Sequence, residues 1–203
     1  MASNIDIQDT WRFFPEYQGP VSTGDGFIIM KDGKAYKATR EQVRQGMGLG
    51  WLWYTDSVHT TSNRQAITAG TRTLITIDKL GAATDTRFQD GIPLETYDNN
   101  TLYPQAVGET YSLRLQFKIS PTASATGQYI NIELDIGDGG SVIVYNQTRP
   151  TAKGQGVTDL VTLPIPIFCL ETFFANGGKF YIIPSVGIDL WDKAIFIQRV
   201  SQP

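Results

Sequence analysis

The sequence has little of what would indicate a redox, nucleic-acid-binding or membrane protein. Cys169 is the only cysteine among 203 residues, which excludes an intrachain disulfide and a cysteine-rich zinc site. Lys and Arg form no runs and the net charge is -3, so we expect no nucleic-acid partner. No stretch reaches the roughly 18 consecutive apolar residues of a membrane span, so we expect no membrane insertion. The first residues lack the basic start and apolar run of a secretory signal, which predicts synthesis in a reducing cytoplasm.

Catalytic motifs are equally scarce. His59 is the only histidine, and Cys169 lies in the apolar run 165–170, where a thiol usually serves as a small hydrophobic side chain. The sequence has no glycine-rich phosphate loop, serine nucleophile elbow or metal-ligand spacing. The stretch 135–140 predicts a hairpin turn rather than a calcium loop, because position twelve is Asn146 instead of Glu. We therefore expect no enzyme, cofactor or metal site, with a two-carboxylate hydrolase as the remaining alternative.

What the sequence does contain is strict alternation of apolar and polar residues. In 111–120, Tyr, Leu, Leu, Phe and Ile alternate with Ser, Arg, Gln, Lys and Ser. This period of two predicts a half-buried β-strand, and 130–136 repeats the pattern. The run 160–168 contains Pro164 and Pro166, which cannot donate to a ladder, so this strand is predicted to lie at a sheet edge.

Further short strands are expected at intervals along the chain, separated by Gly-, Asn- and Asp-containing turns. They are predicted at 67–69, 71–78, 141–145, 179–183 and 188–200. Seven or eight strands without a long helix predict an all-β fold, an antiparallel sandwich or barrel. Residues 79–109 lack periodicity, and a loop of that length is either functional or packed over the surface.

Residues 1–55 differ from the remainder and are predicted to form a separate segment, with the main domain at 56–203. Residues 11–17 contain four aromatics without a regular period. A β-hairpin is predicted around Asp32-Gly33, followed by a short helix at about 40–46 that begins with a Thr39–Gln42 capping box. So small a module buries too little surface to be stable alone, so its aromatics need an outside surface.

The last predicted strand is apolar on both faces around residues 194–197. Ile195 and Ile197 lie on one face, with Ala194 and Phe196 on the other. A strand buried on both faces in an antiparallel sandwich needs cover on its outer side. Either the aromatic N-terminal segment or a neighbouring copy supplies that cover, and we favour the neighbour.

The sequence resembles a type of tailed-phage virion protein in three stretches, Tyr103–Phe117, Phe168–Phe180 and Ile188–Val200. Proteins of this type carry a jelly-roll domain similar to the C1q and tumour-necrosis-factor trimers. The resemblance covers about residues 55–203 and rests on the order of the strands and on the local sequence of these stretches. It implies an antiparallel jelly-roll sandwich and a homotrimer in which the sheet of the last strand faces the three-fold axis. The expected trimer-interface residues are Trp191, Ile195 and Ile197.

The stretch Gly26–Val43 resembles the small segment by which phage fibre and decoration proteins dock on the virion. No heptads or collagen-like repeats form a shaft, so the resemblance implies a capsid decoration protein or short head fibre. It would be made in the host bacterial cytoplasm, reside in the virion and contact capsid proteins through residues 1–55. The expected anchor residues are Trp11, Phe13, Phe14, Tyr17, Ile28, Met30 and Tyr36. The alternative is a receptor- or glycan-binding tip protein of the phage tail that uses loop 79–109.

Overall fold

The computed structural model describes residues 26–31, 34–39, 50–89, 91–137, 141–151 and 154–201. The chain divides into two compact units, Met1–Val43 and Arg44–Pro203. In the first unit, β1 (Gly26–Lys31) and β2 (Lys34–Thr39) pair antiparallel with Lys31 opposite Lys34, which confirms the predicted hairpin. The predicted helix at 40–46 lies outside the described residues.

The second unit is a sandwich of two antiparallel sheets. Its strands are β3 (Trp51–Thr55), β4 (Gln65–Ile67), β5 (Thr73–Leu74), β6 (Tyr97–Asp98), β7 (Thr101–Leu102), β8 (Thr110–Pro121), β9 (Tyr129–Asp135), β10 (Ile143–Pro150), β11 (Asp159–Phe168), β12 (Lys179–Pro184) and β13 (Ile188–Ser201). A single helical turn, α1 (Glu171–Asn176), precedes β12. One sheet has the order β11-β8-β13-β3, with β4 also pairing to β13, and the other has the order β10-β9-β12-β5.

This strand order is that of a jelly roll. Numbering β3, β5 and β8–β13 from one to eight, one sheet reads 6-3-8-1 and the other 5-4-7-2. The chain therefore crosses repeatedly between the sheets while every pairing in them is antiparallel. The expected all-β jelly-roll sandwich is confirmed.

The strand predicted from the alternation at 111–120 is β8. Leu113, Leu115 and Phe117 are buried while Arg114 is exposed, as the period of two requires. The core lies between the sheets and includes Ile132 and Phe180 from the opposite sheet. The proline-containing strand β11 pairs only with β8, so its predicted edge position is correct.

The expected domain boundary at 55/56 is corrected by the position of β3. Residues 51–55 pair with β13, with Ile197 opposite Leu52 and Ile195 opposite Tyr54. Both Leu52 and Tyr54 belong to the core of the sandwich. Strand β3 is therefore the first strand of the jelly roll, and the compact units divide at 43/44 instead.

Residues 79–109 are packed against the sandwich for most of their length. The segment 81–88 runs along the free edge of β3, where Trp53 and Asp85 exchange backbone hydrogen bonds of 3.0 and 2.8 Å. A Cβ on Gly81 would collide with Thr55 Oγ1. Further on, Ile92, Tyr97 and Leu102 enter the core. The loop thus covers a strand edge that would otherwise be open to pairing with other chains.

Candidate functional site: the outer face of the β13 sheet

The outer face of the sheet that contains β13 carries aromatic side chains on two adjacent strands, β13 and β3. Along β3, Leu52 and Tyr54 point into the core, so Trp51 and Trp53 lie on the outer face and are partly exposed. Along β13, Ile195 and Ile197 point inward, which places Phe196 on the outer face. Alternation on paired strands therefore brings the aromatic rings together.

These rings form one connected group. Trp51 stacks on Phe88 with centroids 4.5 Å apart, and Phe196 lies 5.5 Å from Trp51 and 6.2 Å from Trp53. The guanidinium of Arg114, from the neighbouring β8, lies 5.0 Å from the Trp53 centroid and 5.2 Å from that of Phe196. Such aromatic and cation–π contacts fix both the rings and the charge in place.

The group surrounds a cleft of about 350 Å³, which we call the aromatic cleft. It is lined by Trp51, Trp53, Ala83, Asp85, Arg114 and Phe196. Asp85 is paired with Arg87 at 2.5 Å, and the hydrogen bonds from Arg87 lower the pKa of this carboxyl group. Arg114 makes no ion pair with any described residue, so the cleft presents apolar rings and one cation. Loop 79–109 contributes one wall of it.

The expected trimer-interface residues are placed differently by the structure. Ile195 and Ile197 are completely buried in the core between the sheets, so they cannot contact another subunit of the folded protein. Trp191 is 2% exposed and lies under the guanidinium of Arg64, 4.0 Å from its ring centroid. The interface assignment to Ile195 and Ile197 is therefore wrong.

A β-bulge explains this error. Trp191 lies opposite Lys118 and Ala194 opposite Gln116, so β13 has two residues, Asp192 and Lys193, where β8 has only Phe117. Asp192 takes a positive φ of 49° in the bulge. Positions 191, 195 and 197 share a face in a regular strand, but the extra residue puts Trp191 on the side opposite Ile195. A left-handed Asp gives no clear signal in the sequence.

The bulge also contains a buried charged residue that the sequence analysis did not single out. The side chain of Lys193 is 0% exposed, and its Nζ lies 3.2 Å from Asp56 Oδ2 and 2.9 Å from His59 Nδ1. His59 Nδ1 is in turn 3.1 Å from Asp56 Oδ2. Burial lowers the pKa of Lys193, and the charge of Asp56 opposes this shift. We call these three residues the Asp56 cluster.

A second buried ion pair ties the start of β8 to the end of β13. Glu109 Oε1 accepts a hydrogen bond of 2.8 Å from Arg199, while its Oε2 accepts from the Tyr111 hydroxyl at 2.6 Å. Arg199 also donates to the Gly91 carbonyl. The Cys169 thiol is buried nearby, and desolvation raises its pKa to about 11, which agrees with the expected hydrophobic role.

The outer face of the opposite sheet carries another ion-pair group. Arg72 donates to Glu133 at 2.9 Å and to Asp135 at 2.7 Å, and its guanidinium lies 3.6 Å from the Tyr181 ring centroid. Asp135 Oδ1 also accepts from the Gly137 amide at 2.9 Å, as expected for a hairpin turn. These carboxylates are therefore mostly covered, although they occupy the polar positions of the alternating strand β9.

Three of the seven expected anchor residues lie in the described part of the chain. Trp11, Phe13, Phe14 and Tyr17 lie outside the described residues. The remaining candidates are positions of β1 and β2, where the register places Tyr36 opposite Ile29. Positions 28 and 30 therefore do not share a face of the hairpin with position 36.

The described ranges contain no candidate metal site and no candidate membrane span. There, no three His, Cys, Asp or Glu residues are grouped so that they could hold a metal ion. No helix in the same part of the chain is long and apolar enough to span a bilayer.

Comparisons with known proteins return structural likeness only. No family model matches the sequence, and no curated protein sequence matches it. The PRD1 vertex protein P5 is similar at a TM-score of 0.44 and 13% identity, over 99% of this chain and 98% of that one. The infectious bursal disease virus VP2 subviral particle gives 0.42 and 8% over 87% of this chain and 39% of that one. The Eiger TNF of S. frugiperda gives 0.40 and 8%, over 77% and 95%. At these scores the likenesses carry no argument about function, and the jelly-roll assignment rests on the strand order.

Proposed function

We propose that this chain is a structural component of a bacteriophage virion, a homotrimeric capsid decoration protein or short head fibre. The N-terminal unit docks on a capsid protein, so that the protein projects from the capsid surface. The observation that carries the proposal is the aromatic cleft on the outer face of the β13 sheet. This is the sheet that the family resemblance turns towards a three-fold axis.

The chemistry of this face favours cover by a second copy. Trp51, Trp53 and Phe196 are partly exposed, and Arg114 beside them has no ion-pair partner among the described residues. Interface cores are enriched in aromatic residues and Arg, and their burial supplies most of the binding free energy. In this proposal these four residues take the role that the sequence analysis gave to Ile195 and Ile197.

Sedimentation velocity of the full chain at micromolar concentration tests the trimer. We expect a trimer for the unmodified chain and a monomer for Phe196→Glu, because the substitution removes an apolar ring from the proposed interface and adds a charge that must lose its water there. Thr148→Glu, at an exposed site on β10 in the other sheet, is the matched control and should remain trimeric. A monomeric unmodified chain would exclude the trimer.

Virion incorporation tests the anchor separately. A chain that lacks residues 1–43 should retain the folded jelly roll but fail to join particles assembled without the full-length protein. Imaging of labelled particles then locates the full-length protein on the head or the tail. If the shortened chain still incorporates, the anchor lies in the jelly roll.

The second candidate is a receptor- or glycan-binding tip, and the same cleft is the observation that favours it. Two tryptophan rings beside an unpaired guanidinium are suited to a saccharide that carries a carboxylate, since sugar faces stack on aromatic rings and Arg pairs with anions. Binding on a glycan array that is lost in Trp53→Ala, with the trimer intact, would favour this function over cover by a second copy.

A further inference from the structure

The Asp56 cluster joins the first and last strands of the jelly roll. Asp56 directly follows β3, and its backbone amide donates to the Lys193 carbonyl at 2.9 Å. The Asp192 amide donates to the His59 carbonyl at 2.9 Å. These two bonds hold the segment 56–59 against the bulge of β13. Asp56 and Lys193 are thereby fixed opposite each other, independently of their side-chain contact.

The side chains meet in a closed environment. Lys193 is 0% and Asp56 2% exposed, with 3.2 Å between Nζ and Oδ2. Nζ also lies 3.0 Å from Thr76 Oγ1 and 3.3 Å from Gln65 Oε1. The Asp78 amide donates to the other carboxyl oxygen, Asp56 Oδ1, at 3.3 Å. The amine is thus held by three oxygen atoms, one of which belongs to the Asp56 carboxyl group.

His59 contacts both the amine of Lys193 and the carboxyl group of Asp56. Its Nδ1 is 2.9 Å from Lys193 Nζ and 3.1 Å from Asp56 Oδ2, within hydrogen-bond reach of both. A group that contacts an amine and a carboxyl oxygen at once is placed to carry protons from one to the other. The cluster therefore contains a nucleophile, an electrophile and a proton carrier.

From this geometry we propose that Lys193 and Asp56 condense in the folded protein to form an intramolecular isopeptide bond. A bond forms between Lys193 Nζ and Asp56 Cγ, while the bond from Cγ to Oδ2 breaks. Two of the three ammonium protons leave with Oδ2 as one water molecule, carried by His59, and the third remains on the new amide. The reaction needs no oxidant, reductant or further reactant.

The environment favours the product over the ion pair. Two buried charges are replaced by a neutral amide, which removes the cost of keeping both ions away from water. The fixed approach of the two groups acts as a high effective concentration. Burial also lowers the pKa of Lys193, which increases the fraction of neutral, nucleophilic amine. The new bond would lock β3 to β13 at the central strand of the sheet.

The intact mass of the full-length chain, measured after denaturation, tests the proposal directly. We expect a mass lower than that of the sequence by about 18 Da, one water. Proteolysis should yield a branched peptide that contains both Asp56 and Lys193. An unchanged mass, with the two residues recovered in separate peptides after prolonged incubation of the folded protein, would overturn it and leave an ion pair.

Three variants assign the roles. Lys193→Arg should show the full sequence mass, because a guanidinium does not replace the amine as nucleophile. Lys118→Arg is the matched control: Lys118 is part of a half-exposed ion pair with Asp192, and this variant should keep the loss of water. His59→Gln should form the branched peptide more slowly in a time course after refolding. An equal rate in His59→Gln would remove His59 from the reaction.

Discussion

Glu109 and Arg199 form a buried ion pair with 2.8 Å between Oε1 and Nη1, and their side chains are only 2% and 7% exposed. The pair links the residue that precedes β8 to the end of β13. A second contact, in which Arg199 donates to the Gly91 carbonyl, connects the long loop to the same side chain. Three segments far apart in the sequence therefore depend on one guanidinium.

Arg199→Met should destabilise the jelly roll strongly. Removal of the cation leaves Glu109 buried without its charge partner, which typically costs about 3–5 kcal/mol. Urea denaturation followed by tryptophan fluorescence measures the change in the free energy of unfolding. Arg87→Met is the control, because the Arg87 side chain is 79% exposed and such pairs contribute about 0–1 kcal/mol. Equal effects of the two substitutions would contradict the structural role of Arg199.

Stability should fall at acid pH, partly through Glu109. Burial alone would raise its pKa, but hydrogen bonds from Tyr111, the Ala106 amide and Arg199 outweigh burial and lower it. A carboxyl group with a lowered pKa in the folded state binds its proton later than in the unfolded chain. Its contribution is therefore complete above the unfolded pKa of about 4.3 and is lost as pH falls through the folded pKa.

Urea denaturation between neutral and acid pH checks this linkage. Glu109→Gln should be less stable at neutral pH and should lose less stability on acidification than the unmodified chain. Asp135, whose pKa is also lowered, remains in both proteins and accounts for part of the residual slope. Parallel pH profiles would show that Glu109 does not contribute to the acid sensitivity.

The jelly roll should fold without the N-terminal unit, provided that β3 is retained. A chain of residues 44–203 keeps Leu52 and Tyr54, which complete the core against β13. We expect a cooperative thermal transition by circular dichroism. A chain of residues 56–203 is the control and should lack that transition, because the inner face and the edge of β13 are opened. A cooperative transition in both chains would make β3 dispensable.

Asn100 should be sensitive to substitution while its neighbour Asn99 is not. The two residues form the turn between β6 and β7, with φ of 46° at Asn99 and 61° at Asn100. The Asn100 side chain accepts a hydrogen bond of 2.7 Å from the Ile77 amide, whereas the Asn99 side chain donates to Asp98 in an exposed hydrogen bond. Asn100→Ala combines left-handed strain of about 1–2 kcal/mol with the loss of that bond. Asn99→Gly relieves strain and should change stability by less than about 0.5 kcal/mol. Equal free energies of unfolding for the two variants would contradict this assignment.

The sequence predicted those parts of the fold that depend on local periodicity. Alternation along 111–120 defined β8 and its inner face, and the prolines at 164 and 166 identified the edge strand. The Asp-Gly pair predicted the β1–β2 hairpin. Each of these signals lies within about ten residues, because the pleat repeats every two residues and a missing amide acts at its own position.

The candidate site was less accessible to sequence reasoning. Trp51 and Trp53 alternate with Leu52 and Tyr54, a pattern typical of a strand. The pattern does not indicate which other strand pairs with it. Phe88 belongs to a stretch without periodicity and reaches Trp51 only through backbone pairing of segment 81–88 with β3. Contacts between residues this far apart depend on the strand order of both sheets, and no local pattern contains that order.

The sequence by itself thus determined the fold class, the inward face of each regular strand and the apolar character of both faces of β13. Only the tertiary structure decided which of those faces is available to a partner. The extra residue in the bulge at Asp192 exchanges the inner and outer faces for the residues before Ala194. It also directs the Lys193 side chain into the interior, beside Asp56. The physical reason is that a bulge is set by its fit between neighbouring strands, whereas alternation is set by the strand itself.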